Sequence, residues 1–300
     1  MASILDSLPS HREGVLSLAF RRWQIQNRFY RRFGTYVNFN NPQTVNEKVQ
    51  YRKLFGNQQL YALLADKYLV RQFVEERVGG GILIPLLGVH DRLTQDAFDH
   101  LPDSFIIKAN HGCKWHQIVR DKSTLDVKAT CRRFNQFLGQ NYAKASGEYH
   151  YTFIKPRIII EQLLDDAGDS PVDYNFFCYN SSEGFEYCLS VSTPRLERHV
   201  HFEPHGDGYE GTCSAEEVGR LRNPKNFDRM VSIAQALSRG FDFMRVDLYN
   251  LNGAIYFGEM TSTPASGMRA ISNPVRAELR SRLWKLDTHN PLLYRPRKAA

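Results

Sequence analysis

Along the chain, apolar positions recur first at helical and later at strand spacing. From Val15 to Phe33, Leu16, Ala19, Phe20, Trp23, Phe29 and Phe33 predict one amphipathic helix. Thr44 stands three residues before Glu47, as in a capping box, which predicts a helix from there to about Phe55. A third helical pattern covers Leu60 to Val78, and Gly79-Gly80-Gly81 ends it. Ile82 to Val89 reads as a short strand interrupted by Pro85, Phe105 to Lys108 as a buried strand, and Gln117 to Arg120 as its successor across a loop. Leu125 to Tyr142 is helical in pattern. Arg157 to Leu164 is almost continuously apolar, as a central strand is. Asp173 to Tyr179 and Phe185 to Ser192 alternate like an antiparallel pair, and Asn226 to Arg239 is an amphipathic helix with Phe227, Met230, Ile233, Ala234 and Leu237 on one face. The polar stretch Pro194 to Gly219 reads as a long loop. Its His199, His201 and His205 are solvated in the plainer reading and meet an anionic substrate in the other.

The pattern ends in a hairpin. Met244 to Tyr249 and Ile255 to Thr261 are rich in β-branched and aromatic residues and flank Asn250-Leu251-Asn252-Gly253, a turn signal. Asp247 and Glu259 lie twelve positions apart (259 − 247), so pairing across the turn can bring the two carboxylates together. Two acidic oxygens on rigid strands are what a hard cation such as Mg2+ asks for, with nucleotide phosphates completing its shell; solvent-facing acids on an ordinary hairpin are the alternative. Lys108, at a strand end before the glycine-containing turn Asn110-His111-Gly112-Cys113, can bring a cation and backbone N–H groups onto phosphate; with a single glycine, a plain hairpin loop is the alternative.

Composition narrows the classes. The 300 residues are 42% hydrophobic and 24% charged, as in a globular protein with room for one large or two smaller domains. No apolar run approaches the roughly 20 residues that span a bilayer. Met1 to Gly14 lacks the basic-then-apolar order of a signal peptide, so a cytoplasmic location is expected. The five cysteines show no CxxC spacing, which argues against a zinc site or a disulfide framework. Cys113, beside His111 and His116, reads as an incidental thiol rather than a nucleophile. A net charge of +7 favours acidic partners. No aromatic-basic module points to nucleic acid. In the 15–33 helix Arg21, Arg22, Arg28, Arg31 and Arg32 form either the solvated face of a docked helix or a contact with anionic headgroups at the inner face of a membrane.

Taken in order, Asp66-Lys67, the strand ending in Lys108, the glycine loop, the strand ending in Glu161 and the Arg245-x-Asp247 … Glu259-x-Thr261 hairpin resemble the ATP-grasp superfamily. More narrowly, Asn41-Pro42 … Asn46-Glu47-Lys48, Ala65-Asp66-Lys67-Tyr68, Asn110-His111-Gly112, Lys155-Pro156-Arg157-Ile158, Asp173-Tyr174 and Pro264-x-x-Gly267 look like the TupA-like ATP-grasp group, across about residues 40 to 270. That group is associated with teichuronopeptide, capsule and other surface-polysaccharide synthesis, and its members are often labelled glycosyltransferases.

The resemblance implies an α+β protein in which two α+β lobes sandwich ATP. A helical N-terminal segment (1–60) precedes a small lobe (61–155) and a large lobe (156–300) with a basic C-terminal tail. It assigns Lys67 and Lys108 to the ATP phosphates, with His111 and Gly112 in the phosphate loop. Glu161, Gln162 and Leu164 go to the adenine and Asp173 to the ribose. Asp247, Glu259 and Thr261 go to Mg2+, and Arg245, with Lys108, to the transferring phosphate. Pro264 to Met268 is the substrate loop. Three positions depart from the pattern: Cys113-Lys114-Trp115 replaces serine and glycines, Asn175 stands where lysine is common, and Thr261 replaces asparagine. The activity implied is carboxylate–amine ligation through an acyl phosphate, joining an amino acid or amine to an acidic sugar or peptide. A glycosyltransferase using a sugar nucleotide and a non-catalytic nucleotide-binding subunit are the alternatives.

Overall fold

The computed structural model describes residues 15–165, 171–192, 200–203, 206–209 and 215–295. Four helices lead: α1 (Val15–Phe33), α2 (Val45–Phe55), α3 (Gln58–Ala65) and α4 (Val70–Val78). The capping box at α2 is present in both directions between Thr44 and Glu47. The single helix expected over 60–78 is broken at Asp66. Its Oδ1 accepts the N–H groups of Tyr68 (2.8 Å) and Leu69 (3.2 Å), restarting the helix one turn later.

A four-stranded antiparallel sheet follows, built from β1 (Leu86–His90), β2 (Phe105–Ala109), β3 (His116–Val119) and β4 (Ile158–Gln162) in the order β1-β4-β2-β3. Pro85 lies outside β1, which starts just after it. The apolar run at 158–162 is central, as its composition predicts. Phe105, Ile107, Ile158 and Ile160 pack with Phe134 and Cys131 of α5 (Val127–Leu138) into a core of their own. Gly139 ends α5 early, and a short α6 (Tyr142–Ser146) takes up the rest of the pattern.

The second sheet has six antiparallel strands in the order β10-β9-β5-β6-β7-β8: β5 (Val172–Ser181), β6 (Gly184–Ser192), β7 (Val200–Glu203), β8 (Gly206–Tyr209), β9 (Phe243–Leu251) and β10 (Ala254–Thr261). Thus part of the stretch read as loop is a strand pair, and α7 (Ala215–Arg222) begins in it. Val200 and Phe202 alternate inward, and neither stands in a run long enough to announce a strand. His201 lies in β7; His199 and His205 lie outside the described residues. Tyr174, Phe176, Met244, Val246 and Leu248 point from the sheet into a core shared with α8 (Phe227–Ser238) and with residues of α1 to α4. Two cores therefore divide the chain: β4 belongs to the smaller sheet although it lies past residue 155, and α3 and α4 join the core of the larger sheet. Helix α9 (Pro274–Leu283) closes the fold, with Asn273 as its cap. Among the described residues no helix is long and apolar enough to cross a membrane.

Candidate active site

Period-2 alternation gives each sheet one core face and one face free for chemistry. On β9, with Val246 and Leu248 in the core, Arg245, Asp247 and Tyr249 take the opposite face. Register then sets Asp173 opposite Tyr249, Asn175 opposite Asp247 and Thr261 opposite Arg245. Glu259 reaches this face only through a β-bulge. Ile255 and Phe257 are core residues of the same parity, and the extra residue Gly258 turns Glu259 round to pair with Asp247. Glycine suits that position because a Cβ there would lie 3.0 Å from the Asp247 carbonyl oxygen and 3.3 Å from the Tyr249 ring.

Arg245 holds the acids together. Its Nε and Nη2 donate to Asp247 Oδ1 (2.8 Å) and Oδ2 (2.6 Å), and Nη2 also donates to Glu259 Oε1, which accepts from Thr261 Oγ1 at 2.8 Å. Burial pushes Glu259 upward, but Arg245 and Lys67 outweigh it and hold this carboxyl down at about 2. For Asp247 burial dominates and raises the carboxyl above its usual range. Burial likewise lowers Lys67, against the pull of Glu259.

Lys67 sits at the α3–α4 break, its Nζ donating to the Gly112 carbonyl at 2.6 Å. A brace fixes the break. Asn110 Nδ2 donates to Asp66 Oδ1 (2.9 Å) and to the Lys155 carbonyl (3.0 Å), and Asn110 Oδ1 accepts the Arg157 N–H (2.7 Å). The Asp66-Lys67, Asn110-His111-Gly112 and Lys155-Pro156-Arg157 segments thus meet in one hydrogen-bonded knot. A cavity of about 30 Å³ beside it is lined by Lys67, Tyr151, Glu259, Thr261 and Thr263, so the lysine faces the acidic hairpin.

On the smaller sheet Lys108 and Glu161 share the face opposite the α5 core. Lys108 Nζ bonds Glu161 Oε2 at 2.7 Å and Arg71 Nη1 bonds Oε1 at 3.0 Å, so both carboxylate oxygens are engaged by cations. Gln162 is exposed, its N–H spent on the Pro85 carbonyl, and Leu164 lies half-buried just beyond β4. Arg71 was not singled out by the sequence; it lies four residues after Lys67, one helical turn on, and that spacing was the available signal.

The loop at 110–115 is held by aromatic packing instead of glycines. Trp115 stacks on Phe137 (5.2 Å, 5°) and meets His111 and Tyr142 edge-on, and a Cβ on Gly112 would run into the Trp115 ring. The His111 ring is spent on the same anchor, its nitrogens 3.1 Å from Asn110 Oδ1 and 3.0 Å from the Phe137 carbonyl. Lys114 adopts a left-handed φ of 62°. Cys113 is exposed.

The loop Pro264–Gly267 is gripped by one stripe of α2 at i, i+4 and i+7. Asn46 Nδ2 donates to the Gly267 carbonyl (2.9 Å), Gln50 Nε2 to the Ser266 carbonyl (2.9 Å) and Lys53 Nζ to Ser266 Oγ (2.9 Å). These bonds hold Ala265 and Ser266 at φ of 49° and 55°. Burial brings the Lys53 ammonium down to about 8.

Asp173 Oδ1 and Asn175 Nδ2, both buried on the reactive face, have no hydrogen-bond partner among the described residues. Burial pushes the Asp173 carboxyl up to about 6. Its folded value lies above the roughly 3.9 of an unfolded chain, so the folded state holds the proton more tightly and loses stability as pH rises from about 4 through 6. Asp173→Asn lacks that loss. The variant should match the parent near pH 4 and melt a few degrees above it at pH 8, in paired thermal melts across that range; a pH-independent difference would contradict the burial account.

Residues 47–278 match the TupA-like ATPgrasp family. No curated protein matches the chain. Among solved structures it is similar to D-alanine–D-alanine ligase from Bacillus anthracis complexed with ATP (14% identity, 76% of this chain and 66% of that one, TM-score 0.45). It is also similar to D-alanine–D-alanine ligase from Helicobacter pylori (14% identity, 74% and 58%, TM-score 0.43). A third likeness is to phosphoribosylamine–glycine ligase from Thermotoga maritima (13% identity, 79% and 59%, TM-score 0.40). The chain spans about three fifths to two thirds of the length of these proteins. The family match takes in all but the first two residues of α2, all of α3 to α8, both sheets and half of α9, and with them all the residues of the two reactive faces, so the chain belongs to the TupA-like ATPgrasp family.

Proposed function

We propose that the protein is an ATP- and Mg2+-dependent carboxylate–amine ligase that joins an amino acid or amine to an acidic sugar or peptide in surface-polysaccharide synthesis. The observation that carries this reading is the division of charge across the cleft. Lys108 comes from the smaller sheet and Asp247, Glu259 and Arg245 from a rigid hairpin of the larger one, and Lys67, at the α3–α4 break, lies close enough to Lys108 and Glu259 for both to shift its ionisation. That is the arrangement needed to hold a polyphosphate between cations and a metal-binding edge.

The residues fit both groups. Asp173 Oδ1 is a buried acceptor without a partner among the described residues, suited to a ribose hydroxyl. Asp247 and Glu259 offer the hard oxygens that Mg2+ prefers. No cluster of three or more His, Cys, Asp or Glu side chains suited to a metal occurs among the described residues, and Thr261, phosphate and water would have to supply the remaining oxygens. Bound there, Mg2+ screens the charge of the terminal phosphates. Lys67 and Lys108 orient the phosphate chain, and the Asp66–Asn110 knot and Glu161 hold those two ammonium groups in place. Arg245 is positioned to steady the transferring phosphoryl group while a substrate carboxylate oxygen attacks its phosphorus and ADP leaves. The amine nitrogen then attacks the acyl carbon and inorganic phosphate departs. Pro264–Gly267, fixed by α2, supplies a rigid wall for the carboxylate substrate, and the net charge of +7 suits an acidic acceptor.

The test is incubation with Mg-ATP and a panel of amino acids and uronic acids. Equal amounts of ADP and phosphate should appear only with a competent pair, with a product of summed mass less one water. UDP or GDP release from a sugar nucleotide, with no ADP from any pair, would replace the ligase by a transferase.

A further inference from the structure

The docking of α1 separates its arginines from its aromatic residues. Ile25 and Phe29 are buried in the larger core, with Phe33 packed against it. Arg21, Arg28 and Arg32 also turn toward the fold and donate to main-chain carbonyls: Arg21 to Lys53, Arg28 to Lys144 (2.9 Å) and Ala145 (3.2 Å), and Arg32 to Met268 (3.0 Å). Three of the five arginines of the helix are thereby committed to holding it down. The sequence pattern places Phe20 and Trp23 on the apolar face together with Phe29 and Phe33. In the structure they point the other way, because Arg21, Ile25 and Phe29 at i, i+4 and i+8 define the docked stripe.

What remains outside is aromatic. Phe20 is 57% exposed, Trp23 60%, Tyr30 48% and Tyr36 58%, and with Leu18 they account for five of the eight large hydrophobic side chains exposed among the described residues. They form two stacked pairs, Phe20 with Trp23 (5.9 Å) and Tyr30 with Tyr36 (4.7 Å). Scattered exposed apolar residues need no explanation, but a concentration on one helix and the turn after it does. The two arginines not bonded to carbonyls, Arg22 and Arg31, are exposed; helical spacing puts Arg31 on the Phe20 side of the aromatic row and Arg22 at the opposite flank, near the docked stripe, with its guanidinium 5.4 Å from the centroid of the Phe39 ring. No acidic residue occurs in the helix.

We propose that this face of α1 lies on an anionic lipid surface, with Phe20, Trp23, Tyr30 and Tyr36 in the headgroup layer and Arg22 and Arg31 on lipid phosphates. Aromatic side chains with arginines at the edge of an exposed helix face match the chemistry of that layer. The absence of any acid on the helix gives the face a single sign of charge, complementary to such a surface. Through Arg32 the helix reaches the Met268 carbonyl, next to the loop Pro264–Gly267, so that loop lies on the side of the helix away from the lipid. Lipid binding by this face is independent of the reaction in the cleft.

The experiment is co-sedimentation of the full chain with phosphatidylglycerol–phosphatidylcholine vesicles and with phosphatidylcholine vesicles alone, at low salt and at about 0.5 M salt, where screening is short-ranged. Trp284 is fully buried and Trp115 half-buried, so a blue shift of tryptophan emission on binding reports Trp23. Binding is expected only with the anionic vesicles. It should weaken roughly tenfold or more in Phe20→Ser/Trp23→Ser, the equivalent of losing at least one buried aromatic contact, and also in Arg22→Glu/Arg31→Glu, with unchanged circular dichroism. Equal binding by the parent and the serine pair would overturn the proposal. So would absence of vesicle binding, and a concentration-dependent dimer that the serine pair abolishes would then identify a second copy of the chain as what covers the face.

Discussion

Asp247→Asn and Glu259→Gln should each lower ATP turnover by ~10³-fold while leaving the protein folded, a size in keeping with the loss of one preorganised electrostatic group from a reacting phosphate. The substitutions are isosteric and their structural cost is small for a stated reason. Arg245 bonds both acids, so either variant leaves the guanidinium with one carboxylate partner instead of none. In Asp247→Asn the new amide oxygen can still accept the Arg245 Nε–H. What is lost is the negative charge that the cleft offers to a divalent ion, and Thr261, whose hydroxyl leans on Glu259, cannot supply it. ADP release under saturating Mg-ATP, alongside thermal melts within a few degrees of the parent, is the measurement. Turnover at the parental rate in both variants would remove the metal-binding role from this hairpin.

The hairpin was legible because two signals agreed: strand alternation gave the face and the Asn-Gly turn gave the register. The turn contains Asn252 and Gly253 at φ of 52° and 93°, the left-handed pair that such a tight connection requires. Yet counting across the turn without a bulge puts Glu259 in the core, because it shares parity with Ile255 and Phe257. Gly258 resolves this, and one glycine in a strand says bulge or close approach without saying which. The Lys108–Glu161 pair was legible only in part. Each stood at a predicted strand end, but that their side chains bond each other depends on the β2–β4 register, which joins strands about fifty residues apart. The 110–115 loop was hardest to read. Sequence showed missing glycines, whereas its order comes from Trp115 packing on Phe137 and Tyr142, contacts that no local pattern encodes. The same holds for α1, where arginines that read as a solvated face satisfy carbonyls at the ends of distant elements.

Arg52→Ala is expected to cost ~3–5 kcal/mol of folding stability, the range for stripping one partner from a buried ion pair. Arg52 is fully buried in α2, a position where an arginine is tolerated only if nearly every donor is used. Its Nη1 donates to the carbonyls of Phe243 and Ser262, both at 2.9 Å, its Nη2 to Asp242, and Nε and Nη2 lie 3.3 Å from the Tyr294 hydroxyl. The guanidinium also lies over the Trp284 ring, 4.5 Å from its centroid. Phe243 opens β9 and Ser262 follows the last residue of β10, so one side chain ties down the two strand ends nearest the Asp247–Glu259 pair. Truncation leaves two carbonyls without this donor and the Asp242 carboxylate without its cation, retaining only Tyr294 Oη–H at 2.8 Å and the Asp287 N–H at 3.0 Å. Lysine would keep the charge but not the planar fork that reaches two carbonyls and a carboxylate together, so Arg52→Lys should recover only part of the loss. Urea denaturation measures the difference. If the cost arises from an orphaned charge, Arg52→Ala/Asp242→Asn should be at least ~1 kcal/mol more stable than the sum of the single variants. Strict additivity would instead assign the loss to the carbonyls and the ring contacts, and a single variant within ~1 kcal/mol of the parent would show that Arg52 does not anchor the hairpin at all.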